Sequence, residues 1–211
     1  SLNLHSGLYF NIVASVCDNA KQYCPVFIGS SDSIIHQSFQ DPIDKKGSND
    51  EILNEFRNIR DLKMRPNDPT IWYAASNNTF YKSSDSGESF QNIQIPALFN
   101  SQRIVMDVTA KDPDYVYFVS AGSNSSFNGV WKSTNSGDSF TQTAETDDIF
   151  ESTQAWYDLA LTVSDKDVNK VYVGVLNIWS STDGGDNFTK LNNWSSPNTE
   201  SYTHADIHIL R

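Results

Sequence analysis

The sequence predicts an all-β chain built from four repeated antiparallel units of four short strands each. Three observations carry that expectation. An octapeptide frame, Ser-x-Asp/Asn-x-Gly-x-x-Phe, occurs at 83–90, 133–140 and 181–188, so its copies are almost evenly spaced. Short runs of β-branched and aromatic residues, such as Val171-Tyr172-Val173-Gly174-Val175-Leu176, precede each copy. Turn signals rich in Pro, Asp and Asn recur between those runs. A fixed period of roughly 20–50 residues marks a solenoid, a propeller or an array.

Each part of the frame has a task in a hairpin turn. The side chain of Asp85, Asn135 or Asp183 can accept hydrogen bonds from the backbone just ahead and tie the turn closed. Gly87, Gly137 and Gly185 supply a positive φ. Ser83, Ser133 and Ser181 open the frame, and Phe90, Phe140 and Phe188 start the outgoing strand as apolar plugs. Asn135 keeps the carbonyl acceptor, so the middle copy is expected to close as well. This reading makes the carboxylates structural.

Taken in order, residues 8–56 read as a degenerate first unit. Its strands are Leu8 to Ala14, Val26 to Gly29 and Ile34 to His36, and a polar loop from Phe39 to Gly47 stands where the frame would be. The second unit, 57–98, runs from Asn58–Met64 through the turn Pro66-Asn67-Asp68-Pro69 to Ile71–Ala75, Phe80–Lys82 and the first frame. The third, 99–147, repeats the plan with Ile104–Val108, Lys111-Asp112-Pro113-Asp114, Val116–Val119, Val130–Lys132 and the second frame. The fourth, 148–200, has Trp156–Leu161, Ser164–Asp167, Val171–Val175, Ile178–Trp179 and the third frame. Residues 201–211 read as the first strand of a fifth unit.

The frame resembles the Asp-box, or BNR repeat, of sialidases, sortilin-type receptors, xyloglucanase-like glycoside hydrolases and many secreted bacterial proteins. In those families it marks the turn between the third and fourth strands of a β-propeller blade. The resemblance, strong over 57–211 and weak over 1–56, implies a single propeller segment of four blades and the first strand of a fifth. Because a propeller is a closed ring of typically four to eight blades, the segment is read as part of a larger ring, the other reading being a four-blade ring closed by an added strand. Together, the strand with Trp156, Tyr157 and Asp158, the third frame, and His204-Ala205-Asp206 look most like the propellers of large secreted bacterial surface proteins.

A second regularity is the series Asp61, Asp107, Asp158 and Asp206, again almost evenly spaced, which falls at one position of each first strand. Apolar or small residues stand one and three places further on, so by period-two alternation the aspartates share one face. In a propeller the first strand is innermost, and the simplest task for an acid repeated in every blade is to tie down neighbouring backbone.

The chain carries 26 acidic against 15 basic residues, a formal charge of −11, with no basic run. That argues against a phosphate-binding surface and against nucleic acid as a partner. No apolar run reaches the roughly 18–20 residues that span a bilayer. The chain opens in mid-pattern without a signal peptide, so it is read as mature, processed or cut from something longer. The separation of Cys17 and Cys24 suits a bond across a hairpin loop, while on arithmetic alone two free thiols are equally open. The family context implies the disulfide and a secreted or cell-surface location.

Chemistry concentrates at the end of the chain. On a strand His204, Asp206 and His208 would point one way, as a metal site, a hydrogen-bonding cluster for a polyhydroxylated ligand, or a polar strand facing water. The expected ligand residues are these three with Trp156, Tyr157 and Asp158, an aromatic beside polar groups being a common way to hold a sugar ring. Asp165-Lys166-Asp167 begins like a calcium loop but lacks the Gly and distal Glu that an EF-hand requires. Arg103-Ile104-Val105 is the nearest approach to the sialidase Arg-Ile-Pro segment, and no Glu–Tyr nucleophile pair is identifiable. The expectation is a binding or scaffold propeller for glycan or extracellular protein, with no catalytic residue, metal or cofactor. The alternative is part of a sialidase- or xyloglucanase-like hydrolase whose other catalytic residues lie in blades not present.

Overall fold

The computed structural model describes residues 59–210 in full and, before them, the backbone of strands at 10–15, 24–30, 34–39 and 48–53. Among the described residues sixteen strands form four four-stranded antiparallel sheets, each strand hydrogen-bonded to the next in sequence. The first sheet is β1 (Phe10–Ser15), β2 (Cys24–Ser30), β3 (Ile34–Phe39) and β4 (Ser48–Leu53). The second is β5 (Asp61–Met64), β6 (Trp72–Ala75), β7 (Phe80–Ser83) and β8 (Gln91–Ile93). The third is β9 (Arg103–Val108), β10 (Val116–Ala121), β11 (Phe127–Ser133) and β12 (Thr141–Gln142). The fourth is β13 (Ala160–Val163), β14 (Val171–Gly174), β15 (Ile178–Ser181) and β16 (Thr189–Lys190). A single-turn 3-10 helix, Pro96–Asn100, is the one helical element among the described residues. Four such sheets in sequence are blades of a β-propeller. Cys17 and the loop after Phe39 lie outside the described residues, so the expected disulfide does too.

The blades stack face to face, and the alternation of their second strands shows why. In β10, Val116 and Phe118 enter a core shared with Tyr73, Phe80 and Met106. Tyr117 and Val119 point the other way, into a core shared with Leu161, Val163, Val171 and Val173 of the fourth blade. All six residues of β10 are therefore buried, and β10 reads as a continuous apolar run where a one-sided strand would alternate. Each such side chain taken from water contributes about 1.5–3 kcal/mol, so adhesion between blades is the main source of stability.

Two corrections follow from the register. Strand pairing makes Met64, Val108 and Val163 equivalent, because each faces the second-strand residue that in turn faces the frame serine. Counted back from them, the equivalents of Asp107 are Lys63 and Thr162, whereas Asp61 sits two places earlier. Asp158 precedes β13 altogether: Ala155, Trp156 and Tyr157 form a turn, and the strand expected from Trp156 begins at Ala160. The four aspartates thus do not share a position. Apolar spacing alone leaves register free by two residues, and only the hairpin partners fix it.

The second correction concerns 201–210, which contains no strand. Asp206 adopts φ 75°, which breaks an extended run. The Ile207 N–H donates to the Val175 carbonyl at 3.0 Å, and Ile207 and Leu210 cover the bare backbone at Gly174. The segment lies as a tail on the fourth blade.

Candidate functional site

The two ends of the blades differ, and the frame turns occupy one of them. In each frame the serine Oγ accepts the glycine N–H, at 2.8 Å in Gly87 and 2.9 Å in Gly137 and Gly185, and donates to the Asp or Asn Oδ1. That Oδ1 in turn accepts the N–H of Ser89, Ser139 or Asn187 at 2.9–3.1 Å. The outer atom adapts to its partner: Asp183 Oδ2 accepts from Asn187 Nδ2, whereas Asn135 Nδ2 donates to Ser139 Oγ. Bonding from Asn187 and Ser181 pulls the Asp183 carboxyl down to about 2.

Both central residues of each turn, Ser86–Gly87, Ser136–Gly137 and Gly184–Gly185, have positive φ. The first of each pair docks onto the loop between the first and second strands of its own blade, its N–H donating to Thr70, Asp114 or Asn169 carbonyls at 2.8–2.9 Å. Phe140 sits between blades, edge-on to Phe80 of the preceding blade with centroids 4.7 Å apart and 4.9 Å from Phe118 of its own, while Phe90 packs with Leu62, Trp72 and Ala74 of its own blade. Ion pairs finish this rim, with Lys82 to Asp138 at 2.6 Å and Arg65 to Asp114 at 2.8 Å.

The inner strands are tied to one another by the first two aspartates. Asp61 accepts from the main-chain N–H of Met106 at 2.8 Å and of Leu62 at 2.9 Å. Asp107 accepts from Val163 N–H and Thr162 Oγ1, at 2.9 and 3.0 Å, and pairs with Lys63 at 3.6 Å. Each carboxylate links one blade to the next.

Asp158, at the opposite end from the frames, has no such task. It is fully buried, and neither carboxylate oxygen has a hydrogen-bond partner among the described residues. Its own N–H donates to the Gln154 carbonyl. Burial lifts its carboxyl above the ordinary range, with Asp206 adding to the rise and His208 and Arg103 opposing it. Arg103 directs an N–H to the Ala155 carbonyl at 3.1 Å and makes no ion pair with Asp158.

Immediately before Asp158 two aromatics project from the turn. Trp156 is 69% exposed and Tyr157 51%, with centroids 5.5 Å apart. The flanking Ala155 and Leu159 are sunk in the core between the third and fourth blades, so the turn is clamped on both sides. His208 stands edge-on to Tyr157 at 4.7 Å. The fold therefore brings together Trp156, Tyr157, Asp158, Asp206 and His208. It does not bring in His204, whose ring bonds only the adjacent Ala205 carbonyl. Arg103, which the sequence marked only as the nearest approach to an Arg-Ile-Pro segment and not as a ligand residue, is brought beside this turn from the preceding blade. Among the described residues no group of three or more His, Cys, Asp or Glu side chains is placed to hold a metal ion, and no helix is long and apolar enough to cross a membrane.

A groove of about 890 Å³ lies along the fourth sheet past Thr162, Tyr172 and Ile178, with Lys63 and Asp107 of the inner strands and Leu210 of the tail also lining it. In the second and third blades the corresponding face packs against the next blade.

No protein-family model matches the chain, and no curated protein matches it in sequence. Solved structures do. An ancestral GH74 enzyme superposes with TM-score 0.61 at 15% identity, over 92% of this chain and 25% of that one. A GH74 xyloglucanase from Xanthomonas campestris gives TM-score 0.55 at 14% identity, over 79% and 28%. The extracellular domain of a proposed one component system from B. thetaiotaomicron gives 0.54 at 10% identity, over 90% and 23%. The chain thus spans about a quarter of the length of each, and at these identities the likeness is one of fold: the chain has the architecture of a β-propeller.

Proposed function

We propose that the chain is part of an Asp-box β-propeller of a secreted or cell-surface protein, and that it binds a glycan at the end of the blades opposite the frames. The observation that carries this reading is the pair of exposed aromatics, Trp156 and Tyr157, with His208 against Tyr157 and the buried, unpartnered Asp158 next in the chain. Stacking on the rings and hydrogen bonds from sugar hydroxyls to the polar rim are complementary demands of one ligand. The frames are scaffold in this account, because their polar atoms are used up within the turns. The outward face of the fourth sheet is taken by a further blade of a larger ring.

The test is a glycan array probed with the protein and with Trp156→Ala. Specific binding lost in Trp156→Ala, and kept in Phe99→Ala in the exposed connection between the second and third blades, supports the reading. Equal binding by all three, or none by the parent, refutes it. A hydrolase remains the second reading, favoured by the raised Asp158 carboxyl, as a general acid requires. Sugar release by the protein, lost in Asp158→Asn, would establish it.

A further inference from the structure

In the strand register Tyr73, Tyr117 and Tyr172 are equivalent, each next to the second-strand residue that faces its frame serine. Tyr73 and Tyr117 are wholly buried. A frame glycine of the next blade lies against each: a Cβ on Gly137 would stand 2.9 Å from the Tyr73 ring, and one on Gly184 3.2 Å from the Tyr117 hydroxyl. Tyr172 is half-buried and lines the groove of the fourth sheet, with Lys170 Nζ 5.7 Å from its ring centroid.

Two places further on, Ala75, Val119 and Gly174 are equivalent. Ala75 lies in a core with Ile104 and Met106 of the next inner strand, and Val119 in one with Leu159 and Leu161 of the fourth blade. Gly174 is buried too, but its cover is Ile207 and Leu210 of the tail. The tail thus stands where the inner strand of a next blade would stand. Its sequence fits that place: Asp206-Ile207-His208-Ile209 has the alternation of Asp158-Leu159-Ala160-Leu161. The place is held without the pairing. In every sheet the first strand is hydrogen-bonded to the second strand of its own blade. The tail has no such strand beside it among the described residues, and the Ile207 N–H borrows the Val175 carbonyl at 3.0 Å. Ile209, which period-two alternation would set on the same face as Ile207, is 62% exposed.

Covering Tyr172, Ile178, Leu191 and Ile209 would favour any apolar occupant. Continuity with the two interfaces already made selects one built on the same plan. We infer that the free face of the fourth sheet docks one further frame-bearing blade, a glycine of its frame against Tyr172, and that residues 206–210, straightened, are that blade's inner strand. This rests on the larger-ring reading above and names the segment and the contact that carry it.

The experiment compares the full chain with an extended form in which a second copy of residues 164–193 follows Arg211. That join gives Ile207 and Ile209 the spacing to the copied strands that Leu159 and Leu161 have in the fourth blade. Amide exchange at 207–209, and nitration of Tyr172 followed by peptide mapping, should both slow by about tenfold or more in the extended form. If Tyr172 is shielded while the tail amides exchange as before, the larger ring stands and the assignment of the tail falls. If the tail is protected and Tyr172 stays reactive, the docking contact is wrong. Should neither change, the inference and the larger-ring reading fall together. A second measurement needs no added blade. Gly174→Ala would put a Cβ 2.5 Å from Ile207, so it should lower the melting temperature of the full chain. It should not lower that of a chain ending at Thr203, because within a strand Gly is itself less favourable than Ala. An equal loss in both forms would overturn the tail's assignment and leave the larger ring standing.

Discussion

The two ends of these blades are built by opposite rules. At the frame end the polar atoms of each turn are paired, and the same bonds recur in all three copies. The glycine N–H meets Ser83, Ser133 and Ser181 at 2.8, 2.9 and 2.9 Å. At the other end the side-chain chemistry described differs from blade to blade. Asp61 is anchored to Met106, Asp158 is buried without a partner, and Trp156 and Tyr157 face solvent between two buried neighbours. Satisfied, repeated chemistry makes a scaffold; unsatisfied, unrepeated chemistry leaves a group free to meet something else. The contrast can be broken by substitution.

The largest effect is expected at Gly137. A Cβ there would stand 2.9 Å from the buried Tyr73 ring, at φ 77°. Left-handed strain of about 1–2 kcal/mol and overpacking of about 1–3 kcal/mol should make Gly137→Ala destabilising by several kcal/mol in urea unfolding. A loss near zero would mean that the blade contact is soft.

Next comes Ser181→Ala. It removes the acceptor for the Gly185 and Asp183 N–H groups, and a buried donor left unmade costs about 1–3 kcal/mol. Ser83→Ala and Ser133→Ala should cost the same within error, and none should change ligand affinity. Affinity lost at unchanged melting temperature would move the frame from scaffold to site.

Acid should then separate the frames. The Asp183 carboxyl is held at about 2, below its ordinary 3.8, by bonds from Asn187 and Ser181. Its contribution is full above the ordinary value and is lost as pH falls from about 4 toward 2. Asp183→Asn should flatten that part of the stability profile, whereas the Asn135 frame already has no carboxyl to titrate. An unchanged slope would contradict the pairing.

The smallest stability effect belongs to the open end. Trp156→Ala should shift stability by no more than about 0.5 kcal/mol. Asp158 has the reverse sign of Asp183: its raised carboxyl favours folding at low pH and that advantage is lost as pH rises through the folded value. Asp158→Asn should therefore raise stability at neutral pH. A marked loss in either variant would make this end structural as well.

What the sequence alone determined is the part of the molecule written in repeats. Three frames at near-constant spacing specify all-β blades and their turns, because turn chemistry is local: Ser133, Asn135, Gly137 and Ser139 all lie within one octapeptide. Strand presence was legible for the same reason. Register was not, since period-two patterns are unchanged by a slip of two residues, and the apparent series Asp61, Asp107, Asp158 dissolved once hairpin partners were known. Nor was the fate of the tail, which reads as a strand until Asp206 turns and Ile207 settles on Gly174. Only tertiary structure set Arg103 beside Ala155 and Tyr157 under His208. Which donors a buried carboxyl meets depends on residues far along the chain in a neighbouring blade, and no local pattern records them.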